Sequence, residues 1–322
     1  EYMKHRYDNW VKGLQWDWLI SNQRYFGVSF PVWYCKRCNT PILADESQLP
    51  VEPMKDKPKT KLCPKCGSSD LIPETDVLNT WFTSSMTPQI STWLMPKAIQ
   101  SKLFPMDLRP QAHEIISFWL FNTMVKSNLH FNENPWEHAM ISGFVTLQGE
   151  KMSKSKGNTI RPQEVMDKYG ADAIRYWAAS SKLGEDFDYQ EKDVLTGKKF
   201  ITKILNATNF AFMNLKYQSK VPKLHETDRI FLSELNKLIK SSTEAFEDYN
   251  YSRAKLETDS FFWQILCDNY LEIVKSRIYQ GTEEEKTSAH YTLYQSMLTI
   301  LKLMAPFTPY ITEEIYQTHF KK

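Results

Sequence analysis

Long hydrophobic runs, net charge and glycine are all in short supply in this sequence, and each shortage closes a class of explanation. No apolar run approaches the ~20 residues that cross a bilayer, and no basic-then-apolar leader opens the chain, so no membrane contact is expected and the compartment expected is the cytoplasm. Lys+Arg number 40 against 38 Asp+Glu, a net charge of +2. That balance supplies no bulk field for nucleic acid, so any RNA contact has to come from local patches. There are only 10 glycines, which makes Gly143, Gly149 and Gly157 a local concentration. No GxxxxGK[ST] occurs, which removes the P-loop as a phosphate device. The chain opens on Glu1 without an initiator methionine and is expected to be processed or cut from a longer one.

What remains is an ordinary folded composition, 42% hydrophobic and 24% charged over 322 residues, long enough for two domains. Four of the five cysteines form two C-x-x-C pairs, Cys35/Cys38 and Cys63/Cys66. That spacing is a poor disulfide framework and a good tetrathiolate site, with all four positions filled by sulfur and none left open for water. A structural Zn2+ in a ribbon over about 33–72 is expected, together with a reducing compartment. Cys267, on an apolar helical pattern beside Trp263 and Leu266, reads as a buried inert thiol.

Residues 1–32 carry an aromatic, helix-like pattern (Trp10, Leu14, Trp18) and then a turn and strand around Gly27 and Pro31. From Thr75 to Asp188 short apolar runs alternate with helical patterns, which predicts an α/β sheet with crossover helices. After about residue 190 long helical patterns take over, with Trp263, Cys267, Tyr270 and Val274 on one face, then Leu298, Leu301 and Ala305; the polar QSKVPKLHET, 218–227, separates two of these helices. The expectation is an all-helical second domain over 191–322, with truncation at its end left open.

The densest chemistry lies in GEKMSKSKGN, 149–158. On composition alone, K-x-x-K-x-K is a solvated turn. Its position between an apolar strand-like run (AMISGFVTL) and a helix beginning near Pro162 places it instead where nucleotides bind in parallel sheets. Lysines there supply mobile charges for phosphate oxygens, and serines and glycine amides donate hydrogen bonds.

KMSKS followed by KGN, and then YGADAIRYW, resembles the second signature of the class I aminoacyl-tRNA synthetases. DVLNTWFTSSMTP, LRPQAHEIISFWLF and the knuckle after PVWYC are similar to the archaeal and eukaryal valyl branch, and NATNF with APFTPYITEEIY resembles the anticodon-binding bundle. The resemblance implies a Rossmann-like α/β nucleotide-binding half-domain over 1–190 with an inserted zinc ribbon, the portion after the editing insertion, followed by an all-α bundle. It implies ATP, with Mg2+, and valine as substrates and tRNA(Val) as partner, in a complete enzyme that is monomeric. By this likeness Lys151 and Lys154 (loop 151–155) grip the triphosphate as the amino-acid carboxylate attacks the α-phosphate, and Ser153 supports them. Glu114 falls at the ribose hydroxyls, and Gln111 and His113 line the nucleotide. Trp81, Ile115 and Trp119 form the side-chain pocket; Ile115 and Trp119 are i and i+4, which on an α-helix is one face.

Asn79 stands where the family has aspartate, Asn22 where SRQ is common, and KILNATNF where KLWNASRF is usual. NTWFTSS opposes isoleucine specificity. The His-x-Gly-His turn of the family's first signature has no counterpart; the seven histidines are scattered. The site is therefore expected to need an amino-terminal half, and a synthetase-derived RNA-binding or interaction module without catalysis is the rival reading.

Overall fold

The computed structural model describes residues 2–15, 17–213, 215 and 220–321; Gln218 and Ser219 of the polar connector lie outside the described residues. It divides into two compact units, residues 1–141 and 142–322.

In the first unit, α1 (Tyr2–Gly13) stops at Gly13, where backbone freedom ends a helix cheaply. Of the aromatic pattern only Trp10 is therefore helical, yet the Trp10 and Trp18 rings both reach Phe118, at 6.2 and 5.9 Å. Strand β1 (Ser21–Asn22) pairs antiparallel with β5 (Val77–Leu78). Between them β2 (Val32–Cys35), β3 (Pro41–Leu43) and β4 (Leu71–Pro73) form an antiparallel sheet in the order β3-β2-β4, which carries the cysteines. Three short helices come next, α2 (Thr80–Ser84), α3 (Thr87–Trp93) and α4 (Lys97–Leu103), and then β6 (Met106–Ala112), α5 (Phe121–Phe131) and β7 (Trp136–Ser142), with β6 and β7 sharing a sheet.

The passage from β6 into α5 departs from the expected single α-helix. It consists of a 3-10 turn, His113–Ile115, and a π-helical stretch, Ile116–Leu120, in which the Phe121 amide reaches back to the Ile116 carbonyl. The wider turn removes the simple i,i+4 relation of Ile115 and Trp119. Both still pack in one cluster, with Ile116, Trp119, Leu120, Trp136 and Ile141 buried and Ile115 partly so.

The second unit opens with β8 (Val145–Leu147) and β9 (Glu150–Lys151), an antiparallel hairpin, and continues through α6 (Pro162–Tyr169), α7 (Ala171–Ala178) and β10 (Phe187–Asp188). β10 runs parallel to β8, so α6 and α7 form the crossover of one βαβ unit. The hairpin corrects the expected strand-to-helix loop: Lys151 lies on β9, and the loop begins only after it.

Helices α8 (Glu191–Met213), α9 (Glu226–Glu247), α10 (Tyr251–Ser260), α11 (Leu271–Gln280), α12 (Glu283–Met304) and α13 (Pro309–His319) complete this unit, with a π-helical stretch, Phe261–Tyr270, between α10 and α11. The textural change near residue 190 coincides with the start of α8, but the compact unit begins at 142. α7 and α8 lie close enough that a Cβ on Gly197 would sit 2.8 Å from the Ala173 carbonyl oxygen. Cys267, Tyr270 and Val274 enter the bundle core, with Trp263 packed at its edge. Burial pushes the Cys267 thiol up to about 11, as an inert core thiol requires.

Polar groups fix how the helices meet. The Asp172 carboxylate on α7 accepts the Tyr310 and Ile311 amides at the start of α13, at 3.3 and 2.7 Å, while Arg175 donates to the Phe307 and Pro306 carbonyls at 3.2 and 2.8 Å. Asp228 on α9 is fully buried and accepts from Arg277 at 2.7 and 2.5 Å, from Tyr270 at 2.6 Å and from Ser288. Burial alone would raise its pKa, but the donors from Arg277, Ser288 and Tyr270 outweigh it and the net shift is downward.

Asp228→Ala, which strands Arg277, is expected to cost about 3–5 kcal/mol in denaturant unfolding. The stability Asp228 contributes should be complete above its unfolded pKa of about 3.9 and vanish as pH falls through its lower folded value. Acid unfolding of the unaltered chain and of Asp228→Asn at the same pH would contradict this.

Candidate functional site

The lysine hairpin is assembled from short-range hydrogen bonds. Gln148 and Gly149 turn the chain with φ of 54° and 78°, which a glycine at the second position makes inexpensive. Asp188 on β10 accepts the Gly149 amide at 3.0 Å and the Thr146 hydroxyl at 2.8 Å, and Asp186 accepts the Phe144 amide at 2.7 Å. Backbone and hydroxyl donors, from Gly149 and Thr146, hold the Asp188 carboxyl below its usual range. A Cβ on Gly143 would meet the Glu185 carbonyl at 2.2 Å, so only glycine lets the hairpin leave so close to β10.

Past β9 the loop is closed by Asn158. Its side-chain oxygen accepts the Ser153 amide at 2.8 Å, and its side-chain nitrogen donates to the Lys151 carbonyl at 3.2 Å. Ser153 and Ser155 hydroxyls are 2.7 Å apart. Lys151 places its ammonium 3.9 Å from the Phe144 ring centroid. Lys156 is occupied by Glu150 at 3.3 Å. Lys154 is exposed, and no ion pair or hydrogen bond engages its ammonium among the described residues. Sequence reasoning noticed Asn158 only as a turn and missed Asp186, Asp188 and Phe144. The D-x-D in EDFDYQ is the one available signal, and it is too common to read alone.

The other predicted residues lie in the first unit. Gln111 and His113 are buried at the end of β6, and the His113 Nδ1 is 3.2 Å from the Arg6 guanidinium. Glu114 beside them is exposed. Trp119 is stacked on Trp136 with centroids 5.4 Å apart and planes 9° from parallel, carries the Arg109 guanidinium 3.9 Å from its centroid, and donates its indole N–H to the Ser84 carbonyl at 3.1 Å. That bond ties the π-helical stretch to the end of α2, the helix that bears Trp81, itself 39% exposed. Lys126 also donates to α2, at the Phe82 carbonyl, and lies over the Phe82 ring; burial pulls its pKa down to about 8.

The two C-x-x-C knuckles are copies of one turn. Asn39 and Gly67, at φ 55° and 70°, donate their amides to the Cys35 and Cys63 carbonyls at 2.7 and 2.9 Å. All four sulfurs lie within 4.8 Å of one another, with Cys35–Cys66 and Cys38–Cys63 at 3.5 Å. A tetrahedron with ~2.3 Å metal–sulfur bonds has edges of about 3.8 Å, so the donor set fits one ion. The Thr40 hydroxyl and amide draw the Cys38 thiol down to about 6. The Ser68 amide favours the Cys66 thiolate, but burial and the neighbouring sulfurs outweigh it and push Cys66 up to about 12. Crowded thiolates of this kind are what a divalent cation relieves.

A model of the class I tRNA synthetases (I, L, M and V) matches residues 1–190, and one of the anticodon-binding domain of tRNA ligases matches residues 228–322. The chain belongs to the class I tRNA synthetase family. Within it, the chain is 45% identical to the valine–tRNA ligases of Thermoplasma acidophilum and Rickettsia prowazekii over 99% of its length, and 44% identical to that of Haloarcula marismortui over 97%. It spans 41%, 42% and 36% of those three relatives. The fold is similar to an Agrobacterium radiobacter LeuRS–tRNA–LeuAMS complex (TM-score 0.71, 21% identity, 95% of this chain and 42% of that one). It is also similar to Mycobacterium tuberculosis methionyl-tRNA synthetase in complex with methionyl-adenylate (TM-score 0.66, 18% identity, 98% and 57%). The class I α/β fold and the helical carboxyl-terminal region are thus established.

Asn158→Ala should release the Ser153 amide, speeding its hydrogen exchange roughly fivefold, the worth of one ordinary hydrogen bond. Unchanged exchange would show that Asn158 does not hold the loop.

Proposed function

We propose that the chain is the carboxyl-terminal part of the catalytic domain, with its tRNA-binding bundle, of a cytoplasmic, monomeric valine–tRNA ligase. The reaction is attack of the valine carboxylate on the α-phosphate of ATP, with pyrophosphate leaving, and then transfer of the valyl group from the adenylate to a hydroxyl of tRNA(Val), with AMP leaving. The observation that carries this reading is the lysine hairpin, clipped by Asn158 and Asp188 at the start of a parallel crossover. Phosphoryl chemistry of this type needs no protein nucleophile; it needs fixed positive charge where negative charge develops. Lys154 supplies an uncommitted ammonium for the β- and γ-phosphates, and Lys151, steadied over Phe144, supplies the second. Ser153 and the loop amides add donors, whereas Lys156 is spent on Glu150. Glu114 takes the ribose hydroxyls, with Gln111 and His113 lining the nucleotide, and Mg2+ accompanies the triphosphate.

Trp81, Ile115 and Trp119 form the valine pocket. The Trp119–Ser84 bond gives it a rigid wall suited to a small branched ligand. An apolar pocket discriminates against smaller or isosteric amino acids by only ~1–3 kcal/mol, so the complete enzyme also needs a hydrolytic site. The four thiolates hold a structural zinc.

For tRNA, the structure offers a shallow groove of about 460 Å3 on α8, lined by Lys198, Lys199, Lys203, Asn206 and Trp263, with no acidic side chain in its lining among the described residues. Lys203 lies 5.4 Å from the Trp263 centroid. Lysines for phosphates beside an indole for a base make a single-stranded RNA contact. No helix among the described residues is long and apolar enough to cross a membrane.

Three measurements test this reading. Valine-dependent ATP–pyrophosphate exchange should be absent from the chain alone, return on mixing with the amino-terminal half of a valyl relative, and fall on the order of 10²–10³-fold in Lys154→Ala; exchange by the chain alone, or a fully active Lys154→Ala, would refute it. Protein purified without chelator should carry one equivalent of zinc, and metal-free protein would overturn the tetrathiolate assignment. Lys199→Glu and Lys203→Glu should each weaken tRNA binding and lower its salt dependence by about one phosphate contact; unaltered salt slopes would remove the α8 groove.

A further inference from the structure

A second opening in the helical unit is unlike the α8 groove. Between the α7–α8 connection and the α9–α10 turn lies a cleft of about 640 Å3. Its cations, Lys182, Arg253 and Lys255, are balanced by Glu185, Asp248 and Glu257, so it is no track for a phosphate backbone. Arg253 is moreover committed to Glu257 at 2.7 Å and Ser241 at 2.8 Å.

Two features bear on what it could hold. The first is Lys255, a lining residue only 6% exposed. Its ammonium donates to the Ser180 hydroxyl at 3.2 Å and lies 3.5 Å from the Tyr176 ring centroid. An ammonium has three N–H donors and one hydrogen bond is made among the described residues; the Asp259 carboxylate also acts on its charge, so the cation is partly compensated while donor capacity remains. The second is Tyr249, held at φ 56° immediately after α9. Helices that end this way favour glycine, because a side chain there costs about 1–2 kcal/mol. Tyr249 lines the cleft, as does Tyr251, whose hydroxyl is 3.2 Å from that of Ser181.

Aromatic residues, a buried donor and the carboxylates of Glu185 and Asp248, which can accept from amino and hydroxyl groups, match a ribonucleotide whose base has left its stack. We propose that this cleft receives one unstacked nucleotide of the tRNA, its base against Tyr249 and an acceptor atom of that nucleotide on Lys255. The inference rests on the tRNA-ligase reading and adds a contact outside the α8 groove.

The test is equilibrium binding of labelled tRNA to the full chain by fluorescence anisotropy. Lys255→Met, which replaces the buried cation by an apolar side chain of similar length, and Tyr249→Gly should each weaken binding at least about fivefold, and Tyr249→Phe should stay within about twofold. Tyr249→Gly should melt no lower than the unaltered chain, since glycine relieves the backbone, so it keeps the test decisive should Lys255→Met not fold. Unaltered tRNA affinity in folded Lys255→Met and Tyr249→Gly, with Lys203→Glu still weakened, would overturn the cleft while leaving the ligase reading intact. No tRNA binding by the unaltered chain would contradict both. AMP binding that Lys255→Met abolishes, with tRNA binding unchanged, would assign the cleft to a free nucleotide and overturn the RNA proposal.

Discussion

Asp188 holds the Thr146 hydroxyl and the Gly149 amide at once, and in doing so decides where the lysine hairpin stands. The two strands it joins pair through only two residues each, Phe187 with Val145 and Asp188 with Thr146. A ladder that short does not fix a loop, because each net hydrogen bond is worth only about 1 kcal/mol. The carboxylates of Asp186 and Asp188 extend it sideways, and the close approach at Gly143 removes the room to slide. With the base of the hairpin fixed, Asn158 closes its far side across the Ser153 amide and the Lys151 carbonyl. The result is a loop whose backbone is tied on both sides, while no ion pair or hydrogen bond engages the Lys154 ammonium among the described residues. Preorganised charge of this kind has its reorganisation cost met during folding rather than during reaction.

The same device recurs through the helical unit. Asp172 takes two amides at the start of α13, where an anionic group is favoured by the helix dipole, and Arg175 takes the carbonyls just before it. The second helix of the crossover, α7, thereby grips α13. Asp228 joins α9, the π-helical stretch, α11 and α12 through one carboxylate. The bundle's apolar core supplies bulk cohesion without direction, and these few polar nodes set which helix meets which.

Much of this was legible in the sequence because the chemistry was local. Cys-x-x-Cys spacing gives a knuckle from four consecutive residues, and the structure brings all four sulfurs together. The lysine motif, the change to long helices near 190 and the buried Cys267 were readable for the same reason. What was not readable depended on distant partners. Asp188 is 39 residues from Gly149, and nothing near either names the other. The Ile115–Trp119 pair looked like one α-helical face, but a bond from Phe121 back to Ile116 widens the turn, and that bulge is settled by packing rather than by propensity. Trp119 read as an aromatic wall, whereas its indole N–H also fastens α2 at Ser84, 35 residues earlier.

The central claim is that the hairpin grips a triphosphate with Lys151 and Lys154 and spends Lys156 on its own structure. Competitive acetylation of the lysines, read by mass spectrometry on the chain complemented with an amino-terminal half, tests it most directly. In the presence of ATP and valine, Lys151 and Lys154 should be protected and Lys156 should react as before. Equal reactivity of all three with and without ATP, or protection confined to Lys156, would contradict the account.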